Sequence, residues 1–96
     1  MDTKDVKRLT EAAKEAIATP CREQRLIING FRFDICWRKV MRSEPMIFEV
    51  VMFYVPGWGH CRHFYPSDID SLVLNVKQAI ADGHKNWPEG GKFVER

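Results

Sequence analysis

Two neighbouring runs leave few folds open to this chain. Residues 31–41 read Phe-Arg-Phe-Asp-Ile-Cys-Trp-Arg-Lys-Val-Met, largely alternating apolar and polar side chains. A period of two belongs to a strand with one buried face. Residues 46–55, Met-Ile-Phe-Glu-Val-Val-Met-Phe-Tyr-Val, are apolar on both faces, as a central strand requires. Arg42-Ser43-Glu44-Pro45 supplies the turn between them. The runs thus form an antiparallel hairpin. If Met41 faces Met46, then Trp37 faces Val50, Ile35 faces Met52 and Phe33 faces Tyr54 on a core side. On the other side Val40 faces Ile47, Arg38 faces Glu49, Cys36 faces Val51 and Asp34 faces Phe53. The one charge of the second strand then meets an arginine, a mildly stabilising cross-strand pair. A slip of one residue would drive Glu49 into the core row.

The flanking segments extend this sheet. Leu26-Ile27-Ile28 ends in Asn29-Gly30, the strongest two-residue hairpin signal because both positions tolerate positive φ. A first strand over about 24–28 therefore folds back, with Leu26 and Ile28 joining Phe33 and Phe31 on the core side. After Val55, Pro56-Gly57-Trp58-Gly59 turns the chain into a strand over 60–65. Pairing Val55 with His60 sends Cys61, His63 and Tyr65 to the core side and Arg62 and Phe64 to the other.

Residues 3–18 form a helix with Val6, Leu9, Ala13, Ala16 and Ile17 as its apolar stripe. Asp2 or Thr3 caps its start and Thr19-Pro20 ends it. Ser67-Asp68-Ile69-Asp70 opens a second helix like a capping box. Its stripe is Ile69, Leu72, Val73, Val76 and Ile80, and Asp82-Gly83 ends it. His84 then sits where a cation favours the helix dipole. Residues 84–96 read as an irregular tail, with Lys92–Glu95 as a short edge strand or frayed end.

The expected fold is α+β: a two-layer domain over 1–96, with an antiparallel sheet of about four strands and two helices, in the order α-β-β-β-β-α. The helices cover one sheet face. The other face carries Ile27, Val40, Ile47, Val51, Phe53, Val55 and Phe64, ringed by Arg32, Arg38, Arg42 and Arg62. An uncovered antiparallel face should be mostly polar. An apolar and aromatic centre rimmed by arginine is instead the composition of an interface. The bland alternatives are a helix that crosses over or a tail that folds across it. Trp58, at the tip of its loop, is a further anchor or packs over the core edge.

Charge supports a contact on this side. The net charge of +2 is too small to demand nucleic acid, but Arg22, Arg25, Arg32, Arg38, Lys39 and Arg42 crowd residues 21–42 against only Glu23 and Asp34. Three cysteines without zinc-type spacing read as reduced thiols of a cytoplasmic protein. Met-Asp-Thr-Lys-Asp lacks an apolar signal core, and no run reaches the ~20 residues that cross a bilayer.

Chemistry is sparse. In His60-Cys61-Arg62-His63 strand alternation splits the ligands between faces, short of the convergent set that zinc needs. A Cys61–His63 nucleophilic pair would need an activating environment, whereas a small buried cysteine explains Cys61. No acid–base carboxylate pair and no phosphate-binding glycine loop is visible. No catalytic residue, metal or cofactor is expected.

Two families share parts of this pattern. Helix, three long strands and helix resembles the double-stranded-RNA-binding domain. That family grips phosphates with lysines at the start of its last helix, where this chain has Ser67-Asp68-Ile69-Asp70, which would repel them. Val55-Pro56-Gly57, with Asp70-Ser71-Leu72 through Ala79-Ile80, resembles HicB-type antitoxins. The extra strand and leading helix depart from that pattern, as does the lack of a DNA-binding tail. No residue is carried over from either family. A small, motif-free domain with one interaction face also resembles phage and mobile-element accessory proteins, anti-CRISPR inhibitors among them.

The resulting expectation is a non-enzymatic binding or inhibitor protein. It engages a protein or ribonucleoprotein, or a second copy of itself, through Arg32, Arg38, Arg42, Phe53, Trp58, Arg62 and Phe64. The alternatives are a single-stranded RNA or DNA platform on the same face and a HicB-like antitoxin.

Overall fold

The computed structural model describes residues 1–55 and 60–86. The elements run α1 (Thr3–Ala18), β1 (Gln24–Ile28), β2 (Phe31–Arg38), β3 (Ile47–Tyr54), β4 (His60–Phe64) and α2 (Ile69–Asn86). The four strands form one antiparallel sheet in the spatial order β1-β2-β3-β4. This is the expected α+β architecture. Among the described residues no helix is long and apolar enough to cross a membrane. Trp58, the rest of the 56–59 turn and Lys92–Glu95 lie outside the described residues.

Both helices pack on one face. Leu9, Ala13 and Ala16 of α1 share a core with Leu72, Val76, Ala79 and Ile80 of α2. The sheet contributes Phe31, Phe33, Ile35, Phe48, Val50, Met52 and Tyr54 to the same core. The alanines of α1 let its backbone approach the strands. Ile17, expected in that stripe, is 40% exposed, and Ala12 packs in its stead.

The helix starts are set by carboxylates. Asp2 accepts from the Asp5 N–H at 2.9 Å, and Asp5 reaches back to the Asp2 N–H, completing a capping box. In α2 the cap falls one residue later than Ser67: Asp68 accepts from the Ser71 N–H at 2.7 Å. These backbone hydrogen bonds hold both carboxyls, Asp2 and Asp68, below the ordinary carboxylate value of 3.8.

Gly83 does not end α2, which continues to Asn86. It is the point where the helix comes closest to the sheet. A Cβ there would stand 2.5 Å from Cζ of Phe31 and 3.0 Å from Cε of Met52. His84, one residue on, stacks on Phe31 at 5.2 Å, and its Nε2 lies 2.9 Å from the Asn29 carbonyl oxygen. It ties α2 to the first hairpin.

That hairpin has the expected register: Leu26 pairs with Phe33 and Ile28 with Phe31, and Asn29 and Gly30 have φ of 50° and 86°. The second hairpin differs. Phe33 pairs with Met52, Ile35 with Val50 and Trp37 with Phe48, two residues from the expected register. The ladder stops at Arg38–Ile47, and the turn is a Met41–Glu44 hydrogen bond of 3.1 Å. Pro45 has no N–H for a ladder. Because the shift is even, every side chain keeps its face.

In β4 the difference is odd. Phe64 pairs with Val50, His63 with Val51 and Arg62 with Met52, while Phe53 pairs with His60 across a bulge that skips Cys61. Phe64 and Arg62 therefore point to the helix side and His63 to the open side, the reverse of the expected assignment. The apolar ring packs against the core edge, and Arg62 bonds Asp82 of α2 at 2.7 Å.

Two outcomes test this packing. Gly83→Ala should destabilise the fold in urea. Overpacking costs about 1–3 kcal/mol, against about 1 kcal/mol gained in helix propensity. The caps predict acid sensitivity. A lowered folded-state pKa contributes stability that is complete above the ordinary value of 3.8 and is lost as pH falls through the lower folded value. Asp2→Asn with Asp68→Asn keeps a capping side chain but cannot titrate. Urea midpoints of this double variant should fall less than wild type between pH 5 and pH 2.5.

Candidate binding face

The pleat of β2 turns Arg32, Asp34, Cys36 and Arg38 away from the helices, and β3 does the same with Ile47, Glu49, Val51 and Phe53. Arg25 and Ile27 of β1 flank one side, His63 and Tyr65 the other.

Asp34 organises the β1 side. It is only 6% exposed. Its Oδ1 accepts from Nε of Arg25 at 2.9 Å and its Oδ2 from Nη2 of Arg32 at 3.3 Å. Arg25 stands directly across the ladder and Arg32 is the previous residue on the same face. A buried carboxylate needs such partners, because stripping it of water is otherwise costly. The bond to Asp34 raises the Arg25 guanidinium further above its already high pKa.

Arg32 also lies over Phe53, with Cζ 4.1 Å from the ring centroid. The β2–β3 register makes the two direct partners. A cation over an aromatic face is worth about 0.5–1 kcal/mol at a partly exposed site. The carboxylate and the ring together fix the plane of the guanidinium.

Glu49 organises the β4 side. Its Oε1 accepts from Nη1 of Arg38 at 3.1 Å, and its Oε2 lies 3.3 Å from Nε2 of His63. The Arg38–Glu49 pair anticipated from sequence thus forms on a diagonal, since Cys36 is the residue directly opposite Glu49. The His63 ring stacks against Tyr65 at 4.8 Å. Between and around these clusters Ile27, Val55 and Tyr65 are 50%, 49% and 45% exposed.

Burial pushes the Cys36 thiol up, and the neighbouring Cys21 and Glu49 add to that effect. A raised pKa leaves little thiolate at neutral pH, so this thiol reacts slowly and only with an electrophile held beside it. Both central carboxylates are paired with arginines. Among the described residues no three His, Cys, Asp or Glu side chains converge as metal ligands.

Of the expected contact residues, Arg32, Arg38 and Phe53 meet on this face. Arg62 and Phe64 belong to the helix side, for the register reason given above. Arg42 lies exposed in the β2–β3 turn, beyond the ladder, and Trp58 is outside the described residues. Arg25, His63 and Tyr65 were absent from the expected set. Arg25 had a usable signal, since the Asn29-Gly30 turn already places it opposite Asp34. Comparison with family models, curated proteins and solved structures finds no match to this chain.

Asp34→Ala leaves two arginines without their shared acceptor. It should lower the urea midpoint only modestly, because Arg25 and Arg32, 59% and 32% exposed, can turn to water once the carboxylate is gone. Urea unfolding with an unchanged denaturant slope is the check.

Proposed function

We propose that this chain is a non-enzymatic binding protein whose open sheet face docks on a protein partner and acts by occupying it, the mode of action of small anti-defence inhibitors. The observation that carries this reading is the composition of the face. Arg32, held flat by Asp34 and Phe53, stands directly across from exposed Ile27, and Val55 and Tyr65 add further exposed apolar surface at the sheet. Aromatic and arginine anchors of this kind dominate protein interfaces. Holding them in place beforehand lowers the entropy lost on docking.

A second reading, a single-stranded nucleic-acid platform, is favoured by the rings of Phe53, His63 and Tyr65 on one side of a four-stranded sheet. Asp34 and Glu49 weigh against it, because they occupy the arginines that phosphates would need.

The test uses the full chain and an Ile27→Glu, Phe53→Ala double variant, both first shown to melt cooperatively. Light scattering across concentrations reads self-association, and affinity capture from the source cell's extract reads external partners. A partner retained by wild type, lost by the variant and insensitive to nuclease supports the proposal. Equal retention by both proteins places binding elsewhere. Capture abolished by nuclease and weakened steeply by salt moves the assignment to nucleic acid.

A further inference from the structure

We propose that Cys21 and Cys36 form a reversible disulfide site whose oxidant is a hydroperoxide. The inference is independent of what the open face binds.

The two residues come from different elements. Cys36 is in β2, on the open face, and only 7% exposed. Cys21 is in the α1–β1 linker and is exposed. The linker does not simply pass by. Cys21 adopts a left-handed backbone, with φ of 67°, a conformation that costs a non-glycine residue energy and persists only when its surroundings enforce it. The enforcement is visible. The Cys21 N–H donates to the Trp37 carbonyl oxygen at 3.0 Å, and the Arg22 N–H donates to the Thr19 carbonyl oxygen at 3.3 Å. The first of these bonds lies beyond the last ladder pair, Gln24–Ile35, and docks Cys21 against the neighbour of Cys36.

A disulfide spans up to roughly 7 Å between Cα atoms, and the Cys21–Trp37 hydrogen bond holds the linker within one residue of Cys36. Both cysteines line one shallow depression, together with Arg22, Arg38 and Glu49. The Cys21 sulfur is near enough to add to the upward push on the Cys36 thiol.

The chemistry divides between them. The exposed Cys21 thiolate attacks the terminal oxygen of the hydroperoxide. The O–O bond breaks, Cys21 becomes a sulfenic acid, and the departing oxygen leaves as water or alcohol. Cys36 sulfur then attacks the Cys21 sulfur. The S–O bond breaks, and the sulfenic hydroxyl takes up the proton given up by Cys36 and leaves as water. The net change is two thiols plus one hydroperoxide giving one disulfide, one water and one alcohol, or two waters when the oxidant is hydrogen peroxide. A thiol donor reverses it by exchange. The new bond would pin the linker across the Arg38–Glu49 end of the open face.

The test treats the reduced full chain with one equivalent of hydrogen peroxide, blocks remaining thiols with iodoacetamide, and maps a non-reducing tryptic digest by mass spectrometry. Cys21 falls in the peptide 15–22, Cys36 in 33–38 and Cys61 in 43–62. The expected product is 15–22 joined to 33–38, lighter by two hydrogens than the separate peptides, on a monomeric chain. It should disappear with dithiothreitol, be absent in Cys21→Ser and persist in Cys61→Ser. Linkage of either peptide to 43–62, linkage only between chains, or full alkylation of both thiols after oxidation would overturn the proposal. The wild-type map decides the matter even where a Cys36 variant fails to fold.

Discussion

The open face depends on the pleat of β2. Eight residues give four that point inward and four that point outward, and the inward four are Phe31, Phe33, Ile35 and Trp37. Burying each such side chain is worth about 1.5–3 kcal/mol, which no single contact on the open side approaches. The core row therefore dictates the orientation of the strand. Arg32, Asp34, Cys36 and Arg38 are carried to the opposite face as a consequence. Their ion pairs do not have to hold the strand in place. They have only to find partners on the neighbouring strands, and the pleat delivers Arg25 and Phe53 as direct cross-strand neighbours.

The same pleat explains which parts of the structure were legible in the sequence. Element order, the helix-facing row and the first hairpin followed from periodicity and from Asn29-Gly30, a turn that fixes its register by itself. The second hairpin sits two residues from the register that a Met41–Met46 closure gives, because nothing in Lys39 to Met46 marks where the ladder stops. An even error preserves faces, so Phe53 and Arg38 were still placed correctly. In β4 the error was one residue, and a bulge beside Phe53 intervenes. An odd error inverts a strand, and it exchanged Arg62 and Phe64 for His63. Loop length and bulges are set by contacts across the sheet, and local sequence does not encode them strongly.

Gly83 shows a different limit. A glycine near the end of an apolar stripe has two physical meanings: a left-handed stop, or a place where a helix must touch what lies beneath it. Here α2 passes over Phe31, and the missing side chain makes room for the ring. The signal that separates the two meanings is the size of the residue on the facing strand, and that requires the tertiary pairing. Once α2 continues, His84 is carried over the first hairpin to the Asn29 carbonyl. One small residue thus links helix length, ring packing and the turn that sets Arg25 opposite Asp34.

The charges of the face are arranged to orient side chains more than to attract from a distance. Arg25 and Arg32 share one carboxylate, and Arg38 and His63 share another. Each guanidinium retains donors beyond those bonded to its carboxylate, because the group carries five. An arginine engaged in this way has surrendered part of its rotational freedom before any partner arrives. It also has less net charge to project, so long-range steering of a polyanion is weak. For the docking role proposed above, a surface of fixed guanidinium planes beside exposed Ile27, Val55 and Tyr65 would suit a folded partner more than a flexible, highly charged strand. A folded partner gains from shape and position, and a phosphate backbone would gain mainly from the charge that Asp34 and Glu49 offset.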